Sequence, residues 1–214
     1  MVFIETNNEM TNDFVKNKQR LFDRWAPSYD CLFPSVIYQA IHQRLLTYVN
    51  LPPKAQVLDM GCGTGRLLNR LASQFPNLQG TGLDLSSEML RIARYSNYHH
   101  PRLIYLRAEA DTLPFAENQF DAVFSTISFL HYLHPEQVLN EVKRVLKPHG
   151  YFYLVDITCP QFLEPYLQIV QTTSAGAIRL YSPESRQQLG AEAQLKCLAH
   201  HSLLTPVLLT VFSK

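Results

Sequence analysis

Short apolar runs alternate with amphipathic stretches through the middle of the chain, and this alternation predicts its architecture. Gln56–Met60, Gly80–Leu85, Leu103–Arg107, Asp121–Thr126 and Tyr151–Asp156 read as strands. Between them, Leu67, Leu68, Leu71, Ala72 and Phe75 share one helical face, and Met89, Leu90, Ile92 and Ala93 share another. Val138, Leu139, Val142, Val145 and Leu146 mark a third. Ser86 suits the N-cap of the second helix and Pro135 the first turn of the third, which Lys147-Pro148-His149-Gly150 stops. Strand and helix in alternation predict a mostly parallel sheet covered on both faces, with ligands beyond the strands' C-terminal ends.

The two ends read differently. Residues up to Asn12 are polar and predict loose chain, whereas 13–50 are helical in pattern. There Val36, Ile37, Ala40, Ile41, Leu45, Tyr48 and Val49 fall on one face, and Trp25, Tyr29, Phe33 and Tyr38 make the segment aromatic. Leu51-Pro52-Pro53-Lys54 is a boundary, because prolines end helices. Residues 1–50 are therefore expected to form a helical lid and 51–214 an α/β domain. In the tail, Leu195–His201 and Val207–Phe212 are strands joined by too short a link for a parallel crossover, so an antiparallel hairpin follows.

Composition narrows the function. The 214 residues are 46% hydrophobic and 17% charged, the balance of a globular domain. A net charge of +1 supplies no footprint for a phosphate backbone, which argues against a nucleic-acid partner. No apolar run approaches the ~20 residues of a membrane span, and the N-terminus turns polar too early for a signal peptide. Cys31, Cys62, Cys159 and Cys197 are scattered without metal-type spacing; they read as reduced thiols in the cytoplasm, and no metal is expected.

The densest chemical signal is Val57-Leu58-Asp59-Met60-Gly61-Cys62-Gly63-Thr64-Gly65, an apolar run, an acid, then alternating glycines opening a helix. Glycine permits positive φ and close approach of a ligand to the backbone. Nineteen residues past Gly65, Asp84 ends another apolar run, where a carboxylate can accept both hydroxyls of a ribose. A phosphate-binding P-loop needs Gly-Lys-Ser/Thr, but Arg66 and Leu67 follow Gly65. A dinucleotide fingerprint needs a further glycine where Arg66 stands, which disfavours a nicotinamide-dependent oxidoreductase. S-adenosylmethionine has no phosphate; its amino-acid head, sulfonium and ribose suit Asp59, the loop amides and Asp84.

These residues resemble the first motif of class I S-adenosylmethionine-dependent methyltransferases, and later blocks agree in order. Asp84-Leu85-Ser86 with Met89-Leu90, then Ala108 to Phe115 leading to Phe120-Asp121, then Leu130-His131 and Arg144 to Pro148, are similar to that family's segments. Phe22-Asp23, Ala26 and Tyr29-Asp30 resemble the branch containing ubiquinone and menaquinone biosynthesis methyltransferases. The resemblance implies a Rossmann-like seven-stranded sheet with a C-terminal antiparallel hairpin. It also implies that Gly61 and Gly63 line the methionine moiety beside Asp59, that Asp84 holds the ribose and that Leu85 flanks the adenine. Glu109 and the Ala110 amide would meet the adenine edge, and Thr126 would close the pocket. His149 departs from the family, which has glycine there.

His131 is the candidate acid–base residue, since it follows the fourth strand and histidine titrates near neutral pH. Trp25, Tyr29 and Phe33 are candidate acceptor-binding aromatics, with Phe162 and Tyr166 as further roof and 162–181 as a cover. Arg66 reads as a solvated helix-face residue. The expected function is methyl transfer to a small, apolar or aromatic molecule. The rival of another kind is a binding module that holds the cofactor without turnover. Neither the acceptor nor the oligomeric state is legible.

Overall fold

In the computed structural model the described residues are 34–167 and 178–214, with 16, 19, 20, 22–24 and 26 of the N-terminal segment. The apolar runs become strands β1 (Gln56–Met60), β2 (Gln79–Asp84), β3 (Leu103–Arg107), β4 (Phe120–Thr126), β5 (Leu146–Ile157), β6 (Lys196–Leu204) and β7 (Val207–Ser213). They form one seven-stranded sheet in the order β3-β2-β1-β4-β5-β7-β6. The first five are mutually parallel. β7 runs antiparallel between β5 and β6, closing the sheet with the hairpin that the short link requires.

Helices α1 (Pro34–Leu46), α2 (Arg66–Gln74), α3 (Ser87–Tyr95), α4 (Pro135–Val145), α5 (Glu164–Leu167) and α6 (Pro183–Glu192) complete the described elements, with short 3₁₀ turns at Phe129–His131 and Gln161–Leu163. Apolar side chains of α1, α2 and α3, among them Ile41, Leu45, Leu68 and Leu90, pack on one face of the sheet. Those of α4, with Leu189 of α6, cover the other around Leu58, Phe152 and Phe212. Strand order reverses between β1 and β4, so their C-terminal tips, Met60 and Thr126, flank the crevice that such sheets leave open for ligands.

Three elements depart from the sequence reading. In α1 the buried residues are Ile41, His42 and Leu45, while Val36 and Ile37 are exposed; the inward stripe is narrower than the apolar residues suggest and includes a histidine. β5 begins at Leu146 rather than Tyr151, through a register shift opposite Phe120 and Ala122. α6 was not legible because its buried residues are Arg186 and Gly190, which leaves no apolar stripe to read; Ser182 caps it, accepting from the Ser185 amide.

His149 sits inside the β5 irregularity with φ 63, the left-handed region where its family resemblance places glycine. The side chain is exposed, so nothing compensates the backbone strain by burial. Replacing it by glycine should relieve strain on the order of 1 kcal/mol, partly offset by the freer unfolded chain. A raised melting temperature is expected; a fall would show that the imidazole holds this bend.

Candidate functional site

The β1–α2 turn is built on three left-handed glycines, Gly61 (φ 69), Gly63 (φ 52) and Gly65 (φ 76). Their surroundings differ. A Cβ on Gly61 would lie 2.6 Å from the Ser128 Cβ, and one on Gly65 would lie 2.6 Å from the Tyr105 hydroxyl. A Cβ on Gly63 meets no described atom within 4 Å, so the space above it is open. Two glycines are thus required by the protein's own packing, and the third faces an open cradle.

Asp84 braces this cradle. Its Oδ2 accepts from the Gly63 amide and its Oδ1 from the Ser86 amide, both at 2.9 Å. Ser86 in turn caps α3, accepting from the Met89 amide, and its hydroxyl donates to Asp23 of the N-terminal segment at 2.5 Å. Burial pushes the Asp84 carboxyl above the ordinary range, while the Ser86 and Gly63 amides oppose that rise. Each oxygen keeps acceptor capacity, since a carboxylate offers about four lone-pair sites. Asp59, 2% exposed, is pushed well above its usual value by burial first and the nearby Asp84 charge second.

A cavity opens from the glycine turn across the strand tips. Gly61, Gly63, Asp84 and Leu85 form one side, Ala108, Glu109, Ala110 and Asp111 another, and Thr126, His131, Tyr132, Leu133 and Val138 a third. The structure therefore brings Gly61, Gly63, Asp84, Leu85, Glu109, Ala110, Thr126 and His131 to a single cavity; Asp59 lines a second, adjoining one. Arg66 is half-buried and also lines that second cavity, so it is not the solvated residue expected: as first residue of α2 it follows the glycine turn directly. Phe162 and Tyr166 are exposed and stand outside the main cavity's wall. Trp25, Tyr29 and Phe33, like 168–177 of the expected cover, lie outside the described residues.

The His131 wall is held from behind. The Ser128 hydroxyl donates to the Met60 carbonyl at 2.9 Å and shares a 2.7 Å hydrogen bond with Ser125, while the Tyr132 hydroxyl donates to Ser128. The Leu130 amide donates to Asp156 Oδ2 at 2.8 Å, and the Leu130 carbonyl accepts from the Arg179 amide. Phe22 meets the His131 ring edge-on, with centroids 5.5 Å apart. Asp156, the penultimate residue of β5, is 2% exposed and lies beside the buried Arg186, whose guanidinium donates to the Asp156 and Ile157 carbonyls. Sequence reasoning missed Phe22 as a wall residue, Ser128, Tyr132 and Asp156; Phe22, Ser128 and Asp156 meet His131, Met60 and Leu130 far along the chain, and only the Phe22-Asp23 phrase signalled any of them.

Burial raises the Asp156 carboxyl from 3.8 to about 7, with Arg186 and the Leu130 amide opposing. The folded protein holds this proton more tightly than the unfolded chain, so stability falls as pH rises from about 4 towards about 7. An Asp156→Asn variant is spared that loss. Its stability relative to the parent should improve by roughly 2–4 kcal/mol between about pH 4 and pH 8, read from denaturant melts. A difference that stays flat over this range would remove the titration from Asp156.

Comparison with known proteins places this geometry. The family profile described as a methyltransferase domain matches residues 57–150, from β1 into the β5 irregularity. A 2-phytyl-1,4-naphthoquinone methyltransferase of Thermosynechococcus vestitus is 34% identical over 165 residues, 72% of this chain and 73% of that protein. A demethylmenaquinone methyltransferase of Thermotoga maritima is 32% identical over 148 residues, 68% of this chain and 63% of that protein. Among solved structures, the methyltransferase bound to the Haloferax volcanii Trm112 methyltransferase activator superposes with a TM-score of 0.78 at 23% identity, over 90% of this chain and 96% of that one. That last likeness concerns the fold. The glycine turn, the acid ending β2, the 3-2-1-4-5-7-6 strand order and these relatives agree, and the chain belongs to the S-adenosylmethionine-dependent methyltransferase family.

Proposed function

We propose that this methyltransferase moves the methyl group of S-adenosylmethionine to a small apolar or aromatic acceptor, within the cavity between the glycine turn and His131. The observation that carries the reading is the shared cavity: Asp84 and Gly63 stand at one side, and Phe22, His131, Tyr132, Leu133 and Val138 at another. The chain's residues fit the cofactor. Asp84 retains lone pairs for two ribose hydroxyls, and the space over Gly63 admits a nucleoside against bare backbone. Leu85 is placed beside the adenine, with Glu109 and the Ala110 amide at its polar edge and Thr126 at the pocket's floor.

S-adenosylmethionine supplies a methyl group already activated on a sulfonium. The chain then has to align the acceptor in line with that bond and exclude water. Phe22, Met89, Leu133 and Val138 give the cavity apolar walls for this task. His131 is placed to accept a proton from an acceptor hydroxyl or acidic carbon. Residues 1–50 act as the lid: Asp23 fastens to Ser86 at the N-terminus of α3, and Arg107 donates to Gln19 at 2.8 Å. Trp25, Tyr29 and Phe33 belong to this lid in the same reading.

The likeness to a 2-phytyl-1,4-naphthoquinone methyltransferase makes 2-phytyl-1,4-naphthoquinone a first acceptor to try. A small molecule rather than nucleic acid fits the net charge of +1, and a cytoplasmic setting fits the free thiols of Cys62, Cys159 and Cys197. Among the described residues no helix is long and apolar enough to cross a membrane. A panel of small aromatic acceptors, incubated with cofactor labelled in its methyl group, should yield labelled product. His131→Gln should slow transfer to a hydroxyl acceptor by about 10²-fold. Saturable cofactor binding with no label moved to any member would favour the binding-module reading.

A further inference from the structure

Behind the glycine turn lies a second cavity of about 50 Å³ that shares Gly61, Gly63 and Thr126 with the first. That volume holds roughly four water-sized groups. Its lining includes His42 of α1, Asp59 of β1 and Arg66 at the start of α2, with Tyr38, Thr64 and Thr126 as further polar groups. His42 is 8% exposed, and its Nδ1 has no hydrogen-bond partner among the described residues. The Thr126 Oγ1, on the wall between the two cavities, is buried and in the same condition.

A buried polar atom without a partner is uncommon and costs about 1–3 kcal/mol. α1 buries Ile41 and Leu45 beside His42, so an apolar residue at 42 would pack there without that cost. The histidine and the neighbouring charges therefore point to a ligand. The lining carries an acid and a guanidinium at once, which suits a zwitterion and disfavours a phosphate, since the Asp59 carboxylate would repel it. The ligand must also be continuous with whatever fills the first cavity, because the two share a wall.

We propose that His42 and Arg66, opposite Asp59, recognise the α-amino-acid end of the cofactor, the imidazole and guanidinium meeting its carboxylate and Asp59 its ammonium. This rests on the cofactor reading of the first cavity and extends it to two residues of the second. Burial, followed by the Arg70 and Arg66 charges, pushes the His42 imidazole down to about 3. The ring therefore stays neutral at working pH and acts through one N–H donor rather than as a cation. Arg66 supplies the charge, and a bound ammonium favours the ionised form of Asp59.

The test is calorimetric titration of the full chain with two probes, S-adenosylhomocysteine and 5′-methylthioadenosine, which share nucleoside and thioether but differ in the amino-acid end. The parent should prefer S-adenosylhomocysteine. His42→Leu and Arg66→Gln should each weaken it about tenfold or more while changing methylthioadenosine affinity less than about twofold. His42→Asn, whose amide nitrogen lies near the Nδ1 position, should recover most of the loss. Equal losses for both probes would reduce His42 to a packing role and overturn the assignment, as would unchanged affinity in both variants. Failure of the parent to bind either probe would instead sink the cofactor reading itself.

Discussion

Valine at position 63 is expected to abolish cofactor binding while leaving the protein folded. A side chain there projects into the open space over the turn, because nothing described stands within 4 Å of its Cβ. Only the left-handed φ of 52 burdens the fold, on the order of 1–2 kcal/mol for a residue with a Cβ. Affinity for S-adenosylhomocysteine should fall by more than about a hundredfold, roughly 3 kcal/mol or more. Gly61→Ala should behave in the opposite manner, since its methyl would lie 2.6 Å from the Ser128 Cβ and force the Ser125–Ser128–Met60 network apart. Melting temperature and calorimetric affinity, measured on both variants, separate the two effects. A folded Gly63→Val protein with parental affinity would refute the placement of the cofactor over this turn.

Alanine at position 84 should be almost as damaging to binding, for two reasons that add. In the proposed reading the carboxylate accepts the ribose hydroxyls, and it fixes the turn by accepting from the Gly63 amide. Charge-assisted hydrogen bonds contribute about 1.5–3 kcal/mol each, so a loss near 3 kcal/mol, about a hundredfold, is expected. Asp84→Asn should fall between, because Gly63 and Ser86 donate to different carboxylate oxygens and asparagine replaces one of them with an NH2 donor. A probe lacking the ribose hydroxyls distinguishes direct contact from bracing. The parent should bind it far less well than the full nucleoside, and Asp84→Ala should show little further difference between the two. Full retention of the hydroxyl preference in the alanine variant would transfer the diol to another residue.

How far the sequence discloses the site depends on how local each feature is. The glycine turn is legible because positive φ and a bare backbone can be met only by particular residues at particular positions, and Gly61, Gly63 and Gly65 alternate within one short run. Asp84 is legible because strand and acid stand in one short run, and Ser86 because capping is a local bond to Met89. The parallel order of the strands follows from alternation, and the final hairpin from a link too short for anything else.

What stayed hidden depends on distance or on exceptions to periodicity. A helical stripe identifies inward positions through apolar residues, so it passes over His42 and leaves Arg66 to read as a surface charge. α6 gave no stripe because Arg186 and Gly190 are what it buries. Asp156 reaches the Leu130 amide across 26 residues, and Ser128 reaches the Met60 carbonyl across 68, separations that no local pattern records. The acceptor wall combines Phe22, the 3₁₀ turn and the start of α4, three segments that only the fold assembles.

The most direct measurement is a crystal structure of the chain with S-adenosylhomocysteine. The ribose hydroxyls should lie within about 2.5–3.0 Å of the Asp84 carboxylate, with the nucleoside crossing the tips of β1 and β2 over Gly63 and the sulfur turned towards His131. A nucleoside seated elsewhere, with Asp84 bonded only to the Gly63 and Ser86 amides, would contradict the account.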